Sequence, residues 1–446
     1  MATMTRLNEA EFVDLQSLAA RFKAGACTPL QALALQVERI ERLNPALNAF
    51  LHLDLDRAWQ AARLSSARWA AGAPLSPIDG ATVGIKANIA VAGLPWHAGI
   101  DAYRERFAAQ DAACVAALRQ AGAVVLGVLN MHEAALGATN DNPAFGRCHN
   151  PHRNGFTPGG SSGGSASAVA AGLCAFALGT DTLGSVRIPA AYCGVFGHIP
   201  SRGQLSLEGI TPLSWTLDRV GVIARSAGDI ERVVSVIERR PMATPVRPPA
   251  QATLGVVDLA DWPVLDDEVA AAFEQLLSAA PAAGIGLRPV KLGAYEAVAV
   301  RRACLLIVEV EALLVHEAAL ATNPDGFSPE LTAMLRWAER QPAPRLAAAY
   351  REAASAGRLL TSALAGLDGC LSPATATPAF AFDAPTPAGQ GDFTLPANLA
   401  GLAATAFPIG LSASGLPLSG QVIGASGETC LELSGRLATA VEPPPG

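Results

Sequence analysis

Pro158-Gly-Gly-Ser-Ser-Gly-Gly-Ser165, an Ala/Val run to about residue 172, Cys174-Ala-Phe-Ala-Leu178 and Gly179-Thr-Asp-Thr-Leu-Gly-Ser185 follow one another directly. The Ala/Val run is helix-prone, and ten helical residues advance about 15 Å. The apolar run after it is strand-like, and five or six strand residues cover about 17–20 Å. If the strand runs back along the helix, both Gly/Ser loops lie at one end of the layer. Ser161 and Ser185 then become neighbours although 24 positions separate them. Glycine permits close approach and unusual backbone angles, and successive amides form anion-binding concavities. One such loop is equally readable as a turn or helix cap; two flanking a helix–strand pair are harder to dismiss.

Working outward, Ala81–Ile85 and Ala123–Leu129 read as buried strands, with a helix at about 112–121 between them. That is the βαβ rhythm of a sheet covered on both faces. Before it, the first 75 residues read as helical, with Thr28 as N-cap and Pro29 at the first helical position. After it, residues 240–252 are Pro-rich and read as a linker or surface loop. A strand at Leu254–Val257 and helices near 264–280, 295–322 and 342–365 follow. Residues 371–395 read as a long loop of the kind that carries function. The expectation is one α/β domain over 1–446: a helical segment 1–75, a core 76–235, the loop 240–252 and the remainder 253–440.

A serine nucleophile needs a base. Gly160-Ser-Ser-Gly-Gly164 matches the G-x-S-x-G elbow, but that elbow follows a strand, and Gly146–Gly160 is polar and punctuated by Pro and Gly. Of the later histidines, His316 lies in an apolar helical segment and reads as structural; His198 is the other. His149 and His152 stand near Cys148 without a second ligand cluster, so zinc is not expected. Lysine becomes the candidate base. Only three of the 32 basic residues are lysines, and arginine does not give up its proton. Lys23 and Lys291 read as surface charges. Lys86 ends a buried-looking strand, where loss of hydration lowers a lysine pKa; the bland reading is a lysine snorkelling at a strand end.

The whole of Gly159–Ser165 followed by Gly179–Ala190 closely resembles the amidase signature. Asp111–Glu133, Asn142–Gly146, Gly194–Gly203, Thr216–Asp229, Phe393–Gly410 and Gly415–Gln421 also resemble blocks of that family, so the resemblance spans roughly 10–440. It implies a single-domain fold with a large mixed β-sheet surrounded by α-helices. It also implies a triad: Lys86 as base, Ser161 as bridging serine after a cis peptide bond, and Ser185 as acylated nucleophile. The backbone N–H groups of Thr182, Leu183, Gly184 and Ser185 would form the oxyanion hole, and Ala135, Gly160 and Leu183 would contact substrate. By the same analogy Asp181 and Arg187 pin the nucleophile loop. The reaction implied is hydrolysis of an amide-type C–N bond, in a small apolar or aromatic amide or carbamate, without metal or cofactor. The glutamine-hydrolysing component of a tRNA-dependent amidotransferase is the alternative within the family; a non-catalytic binding protein on this fold is another.

Three positions depart from the family pattern. Leu183 replaces a usual glycine beside the oxyanion hole, Ala87 replaces a frequent acidic residue, and Val128-Leu129 replaces Lys-Thr. The apolar character of 128–138 and Leu183 favours an uncharged substrate over glutamine.

Composition excludes several classes. A net charge of −7 argues against nucleic-acid or anionic-membrane surfaces. No apolar run reaches the ~18 residues of a membrane span. Eight cysteines without a CxxC read as buried hydrophobes in a reducing compartment. The expectation is a cytoplasmic protein, monomer or homodimer, whose partner is a small molecule.

Overall fold

The computed structural model describes residues 14–240, 252–258, 262 and 265–441. Eleven strands form one sheet: β1 Phe50–Leu53, β2 Thr82–Lys86, β3 Val124–Leu129, β4 Phe176–Asp181, β5 Phe196–Ile199, β6 Arg219–Ala224, β7 Ala252–Val257, β8 Ile285–Val290, β9 Gly369–Pro373, β10 Ala403–Leu411 and β11 Pro417–Gly424. Their order across the sheet is β1-β3-β2-β4-β6-β5-β10-β11-β9-β7-β8. It contains both parallel pairs (β2 with β3 and β4) and antiparallel pairs (β4 with β6, β5 with β10), so the sheet is mixed. β5 lies in the expected core segment and β10 in the remainder, and their hydrogen bonding makes the two one domain.

Helices cover the sheet where the sequence supplies caps and apolar stripes. Pro29–Leu47 starts with a reciprocal cap: Thr28 Oγ1 accepts from Gln31 N at 3.2 Å, and Gln31 Oε1 accepts from Thr28 N at 2.9 Å. β2, β3 and β4 are buried at every position, as strands sandwiched between helical layers must be. The expected βαβ unit is present, with the helix Ala113–Gln120 linking parallel β2 and β3.

Some elements differ from the sequence expectations. The first 75 residues are not all helix: Asn48 closes the preceding helix in a left-handed conformation, and β1 then pairs antiparallel with β3, Phe50 opposite Leu129. A helix at Pro329–Glu339 and strands β8 and β9 lie where no element was expected. The strand expected at Cys174–Leu178 runs on through Gly179-Thr-Asp181, because β6 pairs with it down to Asp181 opposite Arg219. Of the Pro-rich loop 240–252, residues 241–251 lie outside the described residues. All eight cysteines are buried thiols. Among the described residues no helix is long and apolar enough to cross a membrane.

Candidate active site

Three elements meet at one end of the sheet. β2 ends on Lys86, which is wholly buried. The glycine-rich loop before the helix Gly163–Ala170 supplies Ser161, after a cis Gly160–Ser161 bond. β4 runs into the turn that carries Ser185. Ser162 N donates to Ser185 O at 3.1 Å, so the two serine loops are adjacent as their lengths predicted. Ser165 Oγ fastens the helix to β4 through Leu178 O at 3.0 Å.

Lys86 Nζ lies 2.8 Å from Ser161 Oγ, 2.9 Å from Thr180 Oγ1 and 3.3 Å from Thr180 O. Asn88 Nδ2 donates to the same Thr180 hydroxyl at 3.0 Å. Burial lowers the Lys86 pKa to about 7, against the opposing pull of Asp218 and Asp181. A lysine normally ionised at any physiological pH is thereby brought to where its neutral form is well populated. Lys23 and Lys291 are exposed, as expected.

Residues 181–187 are held from beneath. Asp181 and Arg187 are both fully buried and paired at 3.0 Å. Burial alone would raise the Asp181 carboxyl; the charge and hydrogen bonds of Arg187, with Asn398 and the Val186 amide, hold it below its usual value. Arg187 Nη1 reaches Thr394 O at 2.8 Å and Asn398 Nδ2 reaches Asp181 Oδ1 at 2.9 Å, tying the turn to the helix Leu395–Ala400. Gly184 adopts φ +134°, and a Cβ there would stand 2.0 Å from Thr394 Oγ1, so only glycine fits.

The amides of this turn are not equivalent. Gly184 N donates to Asp181 Oδ1 at 2.8 Å and serves the turn itself, unlike the expectation that it faces substrate. The amides of Thr182, Leu183 and Ser185 have no acceptor among the described residues. Within 181–187 only Leu183 and Ser185 keep partial solvent access.

Behind the lysine lies a carboxylate that sequence reasoning missed. Asp218 is buried and accepts from Thr182 Oγ1 at 2.6 Å, Leu213 N at 2.8 Å and Ser214 N at 3.1 Å. Burial raises its pKa to about 6, against these bonds and the Lys86 charge. It sat inside a recognised family block, and only its burial reveals its use. The four histidines weighed above are engaged elsewhere. His316 contacts Tyr103 Oη at 3.0 Å, and His198 Nδ1 contacts Thr405 Oγ1 at 2.9 Å. His152 Nε2 meets Cys193 O at 2.9 Å and His149 Nδ1 accepts from Gly155 N at 3.2 Å.

Ser185 and Leu183 open onto a cavity of about 180 Å³ whose walls include Ala135, Leu213, Leu305 and Val308, with Arg301 and Gln390 as polar members. An apolar cavity of about 150 Å³ is enough for a benzene ring. Of the residues expected at substrate, Ala135 and Leu183 line this cavity. Gly160 does not: it packs behind the wall, where a Cβ would be 2.9 Å from Ala138 C. Gln390 comes from the long loop anticipated at 371–395, and Arg301, Leu305 and Val308 from the helix Ala297–Thr322. Nothing local in the sequence marked those helical positions.

A family model described as Amidase matches residues 31–431. The A subunit of the glutamyl-tRNA(Gln) amidotransferase from Anaeromyxobacter sp. (strain K) is 41% identical over 239 residues, covering 53% of this chain and 49% of that one. The indoleacetamide hydrolase of Pseudomonas syringae pv. syringae is 45% identical over 199 residues, covering 45% and 44%. The chain thus spans about half the length of these curated relatives. A solved structure described as the crystal structure of an amidase superposes with a TM-score of 0.89 at 33% identity, over 96% of this chain and 100% of that one. With the signature loops adjacent in space and the match running through nearly all of the fold, the chain belongs to the amidase signature family.

Proposed function

We propose that the protein hydrolyses amide-type C–N bonds through an acyl-enzyme on Ser185. The observation that carries this reading is the buried Lys86 amine 2.8 Å from Ser161 Oγ, one backbone hydrogen bond away from the Ser185 loop. Neutral Lys86 accepts the Ser161 proton while Ser161 accepts that of Ser185, whose Oγ attacks the carbonyl carbon. The free amides of Thr182, Leu183 and Ser185 receive the oxyanion; one such donor is typically worth about 10²–10³ in rate. The proton on Lys86 returns through Ser161 to the departing amine. Water, deprotonated by the same relay, then cleaves the acyl ester and frees Ser185. The small apolar cavity beside Leu183 supports an apolar or aromatic acyl group, from an amide or a carbamate.

The test is the pH profile of kcat/KM on phenylacetamide. Activity should rise with pH through a midpoint near the value of about 7 held by Lys86, because the neutral amine is the active form. Lys86→Arg keeps the charge and should lose nearly all turnover. Wild-type turnover in that variant contradicts the reading. The similarity to the amidotransferase relative favours a second reading, glutamine hydrolysis feeding a partner protein. Ammonia released from glutamine only when a partner is added would establish it instead.

A further inference from the structure

The 180 Å³ cavity is one of two chambers. A larger cleft of about 710 Å³ adjoins it, and Leu136, Gly137, Ala138, Leu305 and Gln390 line both, forming a neck between them. Ser185, Thr182 and Leu183 belong to the inner chamber. Ser161 lies behind the wall where the chambers join: its carbonyl accepts from the N–H of His132, a residue of the outer cleft, at 3.1 Å, and the preceding Gly160 packs on Ala138 of the neck. In the relay proposed above Ser161 protonates the departing amine, so the acyl half lies inward and the amine half outward. A primary amide would leave the outer cleft empty.

The outer cleft has apolar walls, among them Met334, Phe380 and Phe382, and among the described residues no lysine or arginine lines it. Its one histidine, His132, is held neutral, burial lowering its pKa to about 4. Among the described residues four carboxylates line it. Asp141 is answered by Arg147 at 2.9 Å, and Glu133 is buried and accepts from Ser328 N at 3.0 Å. Glu309 and Glu330 have no ion pair among the described residues. Glu309 is half-buried one helical turn from Leu305 of the neck, whereas Glu330 is exposed.

Resting on the reading of Ser185 and Ser161 above, we propose that the substrate is a secondary amide whose bulky amine half occupies the outer cleft, with cationic amines preferred and carboxylated amines rejected. Size sets the first part: about 710 Å³ falls in the range of sites that hold whole small molecules. Charge sets the second. An ammonium near Glu309 gains what a carboxylate there loses, so exchanging one for the other counts the interaction twice. The acyl half stays limited to about one ring.

Three phenylacetamides test this at pH 8, above the value of about 7 to which burial raises Glu309: the primary amide, the N-(3-ammoniopropyl) amide and the N-(2-carboxyethyl) amide. The ammonium amide should exceed the carboxylate amide in kcat/KM by about tenfold or more. Glu309→Gln should cut that ratio several-fold while leaving the primary amide unchanged. Turnover of the primary amide alone, equal rates for the two charged amides, or a ratio unmoved in Glu309→Gln overturns the inference and leaves the hydrolase reading intact. If none of the three is cleaved and Ser185 resists a fluorophosphonate, the hydrolase reading falls and this inference with it.

Discussion

Leu183 is where this chain departs most from its family pattern, and the structure gives the side chain a place. It is half-open and lines the inner cavity two residues before Ser185, while its carbonyl accepts from Thr394 Oγ1 at 2.6 Å. The backbone is thus fixed through the carbonyl, and the side chain is free to act as wall. Leu183→Gly should leave Thr394 and the turn in place and enlarge the acyl chamber. A missing methylene or more in such a pocket shifts selectivity by about 1–3 kcal/mol. With a fixed leaving amine, kcat/KM for a bulky acyl series should rise about tenfold or more relative to a short series. An unchanged ratio would mean that the leucine is packing only. At this scale much was legible in the sequence. Lysine is rare here, so Lys86 stood out, and the lengths of one helix and one strand put Ser161 beside Ser185. The engaged Gly184 amide was not legible, because its acceptor Asp181 becomes available only once the turn has folded.

Among elements, the segment 211–218 links Lys86, which Asp218 faces, to the inner cavity, which Leu213 lines. Asp218 grips it from inside, through Leu213 N, Ser214 N and Thr182 Oγ1. Glu311, on the helix Ala297–Thr322, grips it from outside, through Ser214 Oγ, Thr216 N and Thr216 Oγ1, and itself accepts from Tyr350 Oη at 2.7 Å. Leu213, a wall of the inner cavity, is held at its amide by Asp218 and precedes Ser214, whose hydroxyl Glu311 holds. Asp218 also faces Lys86, where its charge favours the ammonium form; Asp181 does the same from β4 and His132 opposes it weakly only when protonated. Asp218→Asn keeps an oxygen for Thr182 but removes the charge, so the Lys86 pKa should fall below about 7. The acid limb of the pH profile should move to lower pH, with a reduced plateau. A limb that stays in place would confine Asp218 to holding the segment. The bonds that join this segment to Thr182 and to Glu311 span 36 to 97 positions, which explains why periodicity and turn chemistry did not reveal them. The N-cap at Thr28 was readable because its partner, Gln31, is three residues away.

For the whole molecule, the seam between the two halves of the chain is β5 against β10, with Ala404 opposite Ile199 and Thr405 opposite His198. His198 is buried there, and its pKa is lowered to about 3, chiefly by burial. Burial likewise lowers His97 to about 3, and His132 and His316 to about 4. A base whose folded pKa is depressed stabilises the fold above its unfolded value, and that stability is lost as pH falls. The window therefore opens near 6.5, the unfolded value of all four. Asp218 and Glu309 act in the opposite sense, since burial raises them to about 6 and about 7. The four histidines outnumber these two carboxylates, so near pH 6 the unfolded chain binds more protons and stability falls on acidification. Urea midpoints should fall between about pH 7 and pH 5.5; a flat or rising midpoint would contradict this. The mixed sheet itself was legible only through the family resemblance, because strand order across β5, β10 and β11 depends on pairings that no local pattern encodes.

The central claim is that Ser185 becomes acylated, with Ser161 and Lys86 acting through it. Its most direct measurement is the intact mass of the protein after reaction with a fluorophosphonate, followed by peptide mapping of the adduct. The account predicts one adduct per chain, on the peptide that contains Ser185, absent from Ser185→Ala and formed orders of magnitude more slowly in Lys86→Arg. Full labelling of Ser185→Ala, or an adduct mapped to Ser161, would contradict it.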